Sequence, residues 1–232
     1  MDKKFFFSGS KIYYSIAFCL LILACGDERK EVTGNEIKPT DTIKIKPVET
    51  PLIISYFWYP YKGLKALTNL KRDFGAEGRD LILALNRLDN RNIKRKDSLV
   101  VPDTIFNNIM AYSPFPEKLD AAESIPKLLL LSHRIQAFAA YEYGKLVRWG
   151  PTSLGKKSTP TPNGLYHTNW KAKKTISTID SSWILPWAFN LDNFEGISIH
   201  QFDLPGYPAS HACARLLEKD AQWIYYWAEQ WI

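Results

Sequence analysis

The chain has 232 residues, 46% apolar and 23% charged, which excludes a wholly disordered or collagen-like protein and leaves room for one or two domains with a substantial core. A net charge of +6 suits an anionic polymer or a membrane surface and is too small to indicate nucleic acid, while 14% aromatic residues with eight Trp indicate wide apolar surfaces or a polymer-binding groove. Three cysteines are an odd number, so no complete disulfide framework is expected.

Lys3, Lys4 and Lys11 precede an uncharged run from Ile12 to Ala24 that ends at Cys25. A membrane-spanning helix needs roughly 20 apolar residues, so this run is too short to span and fits the core of a signal peptide. Ile22-Leu23-Ala24-Cys25 resembles a bacterial lipobox. That resemblance implies cleavage after residue 24, lipidation of Cys25, and anchoring of a periplasmic or cell-envelope lipoprotein through two or more acyl chains. The alternative is an ordinary secretory signal that happens to contain Cys25. Cleavage removes Cys19, Asp2 and three lysines, which lowers the net charge to +4 and leaves Cys213 as the free thiol.

Residues 25–51 are expected to form a flexible tether. From Gly26 to Thr50 there is no aromatic residue, and six acidic and five basic residues are broken by Pro39 and Pro47. Such a stretch buries too little apolar area to offset chain entropy. Residues 52–103 turn apolar. A first strand is expected within Ile53–Phe57, a helix from Leu64 to Leu70 stopping near Gly75, a second from Asp80 to Asn86, and a strand Ser98–Val101 closed by Pro102. The sequences "RDFG", "LILALNRLD" and "IKRKDSLVVPD" resemble a LysM-type module, a small α/β domain. That resemblance implies affinity for glycans containing N-acetylglucosamine; the alternative is a small domain that only packs on its neighbour. Residues 104–127, with Pro114, Pro116 and Pro126, read as a linker or irregular connection.

Residues 128–232 read as a mostly antiparallel β domain. Ile135–Glu142 and Leu146–Trp149 flank Tyr143-Gly144-Lys145 as a hairpin. Pro162-Asn163-Gly164 is a turn signal before the β-rich run Leu165–Trp170, and Ile184–Phe189 and Gly196–His200 are further apolar runs. Leu216, Ile224, Trp227 and Trp231 recur at helical spacing, which places one amphipathic helix over about 218–231. The tryptophans are expected in the core more than on a binding platform.

Cys213 lies in Pro208-Ala209-Ser210-His211-Ala212-Cys213-Ala214-Arg215, and His200 ends the preceding strand. A nucleophilic cysteine needs a base or cation to generate its thiolate, and either histidine could serve if the loop folds back. Two alternatives stay open on the residues alone: inert packing of a lone cysteine, and a zinc site from His200, His211 and Cys213.

The segment "IHQFDLPGYPASHACARL" resembles the active-site signature of the L,D-transpeptidases, the YkuD-type catalytic domain, with "YEYGKLVRWGPTSLG", "TPTPNGLYH" and "KDAQWIYYW" as further landmarks in order. The resemblance implies a mainly β, sandwich-like catalytic domain with a C-terminal helix, and a cysteine acyltransferase that forms 3→3 crosslinks on peptidoglycan tetrapeptide stems. It implies no cofactor and no metal. The partners it implies are stem peptides and glycan, with a monomer held at a membrane. On it, Cys213 is the nucleophile, His200 its base oriented by a carbonyl near Gln201, and His211 a wall of the pocket holding the loop. Backbone N–H groups of Ala212 and Cys213 would meet the oxyanion. Arg215, with Ser210 beside it, would bind substrate through a stem carboxylate, the alternative for Arg215 being a loop salt bridge. The family carries glycine where this chain has Ala212, a cost of about 1 kcal/mol if that position needs positive φ. His133 and His167 lie outside the signature and read as structural. Rival readings are an L,D-carboxypeptidase or crosslink hydrolase of the same fold, and a non-catalytic wall-binding lipoprotein.

Overall fold

The structure, a computed structural model, describes residues 53–61 and 66–230, all within one compact unit, Thr50–Ile232. The expected signal peptide, tether and lipidation site Cys25, together with Trp231, lie outside the described residues.

The N-terminal part has the order strand, two helices, strand. Strand β1 (Tyr56–Pro60) pairs antiparallel with β2 (Ser98–Pro102), Tyr56 facing Pro102 and Pro60 facing Ser98. β1 overlaps the expected window, Ile53–Phe57, at Tyr56 and Phe57 and runs on to Pro60. Helix α1 (Ala66–Leu85) breaks at Gly75, whose φ of 73° and ψ of −179° divide it into the two helices that the sequence indicates. An added Cβ at Gly75 would meet nothing within 4 Å, so the backbone conformation is what requires glycine there. Leu70, Ile82, Leu88, Ile93, Leu99 and Val101 close the small core between helices and strands.

Residues 104–127 are ordered by two 3₁₀ turns, Ile109–Tyr112 and Asp120–Ala122, that bury Tyr112 and Ala122. Tyr112 joins Leu81 and Ala84 of α1 and Trp149 in one apolar cluster. The Trp149 indole N–H donates to Ile109 O at 2.8 Å, so the connection packs the first part onto the second.

The remaining strands are β3 (Leu128–Ser132), β4 (Ala137–Glu142), β5 (Lys145–Ser153), β6 (Lys171–Ile176), β7 (Ile184–Asp192), β8 (Ile197–Gln201) and β9 (Ala214–Leu216). They form one sheet in the order β3-β4-β5-β9-β8-β7-β6. Tyr143 and Gly144 both have positive φ, the two-residue turn that matches strand twist in a tight β4–β5 hairpin. β5 is long enough to pair with β4 at first and with β9 through Thr152 and Ser153 at its end. One pair departs from the antiparallel expectation: β8 and β9 run parallel, with His200 facing Arg215. Leu165–Trp170 forms no strand; the run is irregular and its Asn169 N–H donates to Asn190 O.

Helix α2 (Glu218–Trp227) ends four residues before the expected boundary, because Ala228 is already extended. Its Ala221 and Ile224 pack on Phe189, Ile199, Ala214 and Leu216. The first turn carries Glu218 and Asp220, the charge sign a helix N-terminus favours. Asp220 is buried and accepts from Arg148 at 2.7 Å, while Arg148 lies over the Trp223 ring at 4.9 Å. The tryptophans divide: Trp149 is buried, Trp223 and Trp227 stack half-buried on α2, and Trp58 is 70% exposed.

Gly150 sits beneath this ion pair. An added Cβ would stand 2.7 Å from the Phe138 ring and 2.8 Å from the Asp220 carboxylate. Gly150→Ala is expected to destabilise the protein by about 1–3 kcal/mol through overpacking, measured as a lower midpoint in urea.

Candidate active site

The parallel register of β8 and β9 puts the functional residues in one place. His200 is the penultimate residue of β8, Arg215 faces it on β9, and Cys213 immediately precedes β9. Together with His211, Ser210 and Phe202 they line one pocket, whose opposite wall is Ser177, Ile179, Trp183 and Leu185 from the β6–β7 hairpin.

His200 is 4% exposed, and its Nδ1 hydrogen-bonds Gln201 O at 3.0 Å. The carbonyl can only accept, so Nδ1 carries the proton and Nε2 is left as the basic nitrogen. This is the orienting role expected of the Gln201 backbone. Burial pulls the His200 pKa down to about 4, against a modest rise from the Gln201 bond and with Arg215 adding to the fall. The imidazole is therefore neutral at physiological pH.

Burial pushes the Cys213 thiol up, opposed by a backbone hydrogen bond from Ser198 and by the Arg215 charge. The thiol donates to Gly196 O at 3.6 Å. At rest the site therefore holds a protonated thiol beside a neutral imidazole.

The nucleophile loop is fixed mostly by its backbone. Ala209 and Ser210 N–H groups both donate to Leu154 O, and Lys156 N–H donates to Ser210 O. Thr161 Oγ1 donates to Ala212 O at 2.7 Å. Ser210, expected beside Arg215 on the substrate side, lines the pocket but is only 1% exposed, and its hydroxyl donates to Cys213 O and so braces the loop. The Ala212 N–H, expected to meet the oxyanion, donates instead to Thr159 O at 3.2 Å, because the loop closes against residues 155–161. Ala212 adopts φ 73°, the conformation that favours glycine.

Arg215 makes no ion pair among the described residues. Its guanidinium lies over the Phe202 ring, 4.6 Å from the centroid, and faces the pocket available to an anion. The ring of His211 packs on Trp183, and its Nε2 lies 3.1 Å from Lys156 Nζ, which makes Nε2 an acceptor. His133 Nε2 bonds Thr161 O, and His167 is exposed. His200, His211 and Cys213 do not converge as a ligand set: among the described residues no group of three or more His, Cys, Asp or Glu could hold a metal ion. Sequence reasoning missed Phe202, Lys156 and Thr159. Phe202 could have been found, since it lies two residues beyond His200.

Residues 130–231 match the family model of YkuD, described as the L,D-transpeptidase catalytic domain. The matched residues include every residue that lines the Cys213 pocket. Among curated proteins, L,D-transpeptidase 2 of Mycobacterium tuberculosis is 31% identical over 100 residues, covering 35% of this chain. The match spans about a quarter (24%) of that relative's length. Among solved structures, an L,D-transpeptidase from Stackebrandtia nassauensis aligns at 19% identity over 71% of this chain and 72% of that one, with a TM-score of 0.45. One from Mycobacterium tuberculosis aligns at 23% identity over 44% and 52%, with a TM-score of 0.39. The architecture is mainly β, with a large mixed sheet and a C-terminal helix.

Two outcomes follow for this site. Since the folded His200 pKa, about 4, lies below the ordinary 6.5, the unfolded chain binds the extra proton between those values. The His200 contribution is thus fully present above about pH 6.5 and is lost as pH falls toward 4, on the order of 3 kcal/mol in all. A pH series of urea midpoints is expected to show this slope in the wild type and a flatter one in His200→Gln. Ala212→Gly relieves the positive-φ strain and is expected to raise stability by about 1 kcal/mol, seen as a higher Tm.

Proposed function

We propose that the chain is a cysteine-dependent L,D-transpeptidase that acts on peptidoglycan tetrapeptide stems and forms 3→3 crosslinks. The observation that carries this reading is the gathering of Cys213, the base-oriented His200 and the unpaired Arg215 in one pocket of a YkuD domain. The reaction begins when the Cys213 sulfur attacks the carbonyl carbon of the third stem residue as His200 Nε2 takes the thiol proton. The same proton passes to the departing D-alanine amine, and a thioester remains. A side-chain amine of a second stem attacks the thioester, loses its proton to His200, and restores the thiol. Water in place of that amine gives the carboxypeptidase outcome. Arg215 meets a stem carboxylate, and the Cys213 N–H is the backbone donor assigned to the oxyanion now that the Ala212 N–H is engaged elsewhere.

The setting follows from the rest of the chain. The protein acts as a monomeric cell-envelope lipoprotein, lipidated at Cys25 and held at a membrane by the tether of residues 25–51. The strand–helix–helix–strand part is its LysM-like module, with affinity for the glycan. Its layout, β1 and β2 paired around a helix broken at Gly75, supports that reading.

Incubation with a disaccharide tetrapeptide, followed by mass analysis, is expected to show D-alanine release, a 3→3 dimer and a thioester adduct on Cys213. Cys213→Ser is expected to lower turnover by at least about 10³-fold. No turnover by the wild type, or a Cys213→Ser variant equal to it, would sink the enzyme reading in favour of a non-catalytic wall-binding protein. Hydrolysed monomer without dimer would assign the carboxypeptidase.

A further inference from the structure

The segment Phe202–Gly206, between the base strand and the nucleophile loop, is held by the N-terminal part of the chain. Just after α1, Leu88 forms an isolated β-bridge with Pro205. The Asp89 N–H donates to Leu204 O at 3.1 Å, and the Asp89 carboxylate accepts from Leu204 N–H at 2.7 Å through Oδ2. The other carboxylate oxygen, Oδ1, accepts from the N–H groups of Arg91 and Asn92, both at 2.8 Å. Asp89 is therefore fixed in its own turn before it reaches the loop. Leu88 and Leu204 are fully buried. Gly206 has φ 87°, and an added Cβ would stand 3.1 Å from the Leu88 side chain, so the loop backbone lies close against the N-terminal part. Arg91 adds an exposed pair with Asp203 at 3.2 Å, and Arg87 Nε donates to Ile135 O at 2.8 Å.

We infer that Asp89 is a positioning residue for the nucleophile loop, and that the N-terminal part is a built-in brace of the Cys213 pocket as well as a candidate glycan-binding module. Phe202 explains how the brace acts. It is held two residues before Leu204, stacks under Arg215, and meets the His200 ring edge-on with centroids 5.9 Å apart. Displacing Leu204 displaces Phe202, and with it the wall against which both the base and the substrate-binding cation rest. A shift of about 1 Å in such a wall is enough to cost up to about 100-fold in rate. The inference rests on the reading of Cys213 as the nucleophile.

The test compares Asp89→Ala with Leu70→Ala in the full-length protein in detergent at 25 °C. Leu70 lies in the core of the same N-terminal part and does not touch the loop by hydrogen bond, so its truncation lowers Tm through a cavity alone. Two readouts are taken: kcat and KM for D-alanine release, and the iodoacetamide alkylation rate of Cys213, followed on its tryptic peptide. Asp89→Ala is expected to lower kcat roughly 10- to 100-fold with KM within about twofold, and to speed alkylation severalfold as the pocket loosens. Leu70→Ala is expected to leave both readouts at wild-type values while lowering Tm. If Asp89→Ala does not fold, Arg91→Ala at the exposed end of the contact is expected to give the same pattern at smaller amplitude. Wild-type values in the Asp89 and Arg91 variants, or equal changes in Leu70→Ala, would overturn the brace. Alkylation needs no peptidoglycan substrate, so a wild type that releases no D-alanine rejects the transpeptidase reading while the brace is still read.

Discussion

The arrangement of the site depends on one constraint of sheet topology: β8 and β9 are neighbours that run in the same direction. An antiparallel pair can be closed by a two-residue turn, whereas a parallel pair obliges the chain to travel back along the whole strand. Here residues 202–213 make that return without a helix. Because β9 is only three residues long, the return brings Cys213 back alongside Ser198, two residues before His200 on β8. His200 and Cys213 are brought together by the path of the backbone, and the register sets Arg215 opposite His200.

A return path without secondary structure leaves its N–H and C=O groups in need of partners. Two flanks of the molecule supply them. On one side, residues 153–161 take the bonds of Tyr207, Ala209, Ser210 and Ala212. On the other, Leu88 and Asp89 take those of Leu204 and Pro205. The positive φ of Ala212 is held by this over-determination, its N–H bound to Thr159 O and its carbonyl to Thr161 Oγ1. Strain of this kind persists only where the surroundings leave the backbone no alternative, and it concentrates at functional sites.

Much of this could be read from residues, and the exceptions share a cause. The β4–β5 hairpin was legible in Tyr143-Gly144, the helix break in Gly75, and α2 in the spacing of Leu216, Ile224 and Trp227, because each is a local pattern of conformation or apolar period. That Cys213 and His200 share one pocket was legible because the signature that carries them is local too. The β8–β9 pair was not, since Ala214–Leu216 is three residues long and has no alternation to reveal a strand. Leu165–Trp170 misled in the opposite sense: it has β-rich residues, yet it meets β7 through only two backbone bonds, both to Asn190, and forms no strand. The engagement of the Ala212 N–H, the bracing role of Ser210 and the reach of Asp89 across the molecule each depend on which distant segment lies alongside, and no local pattern records that.

Burial explains why so many bonds are spent on the loop. The same desolvation that keeps His200 neutral keeps Cys213 protonated, so the resting site stores no thiolate–imidazolium pair. In the proposed reaction, moving the thiol proton to Nε2 creates two opposite charges in a water-poor pocket, which is costly until sulfur begins to bond to carbon. Arg215 helps the thiolate and opposes the imidazolium, and Ser198 helps the thiolate alone. Proton transfer is therefore coupled to attack, and its barrier depends on whether the oxyanion donor and the carboxylate partner are already in place when substrate arrives. In a pocket of that kind reactivity comes from geometry rather than from a standing thiolate, and the geometry is what the two flanks of the return path hold.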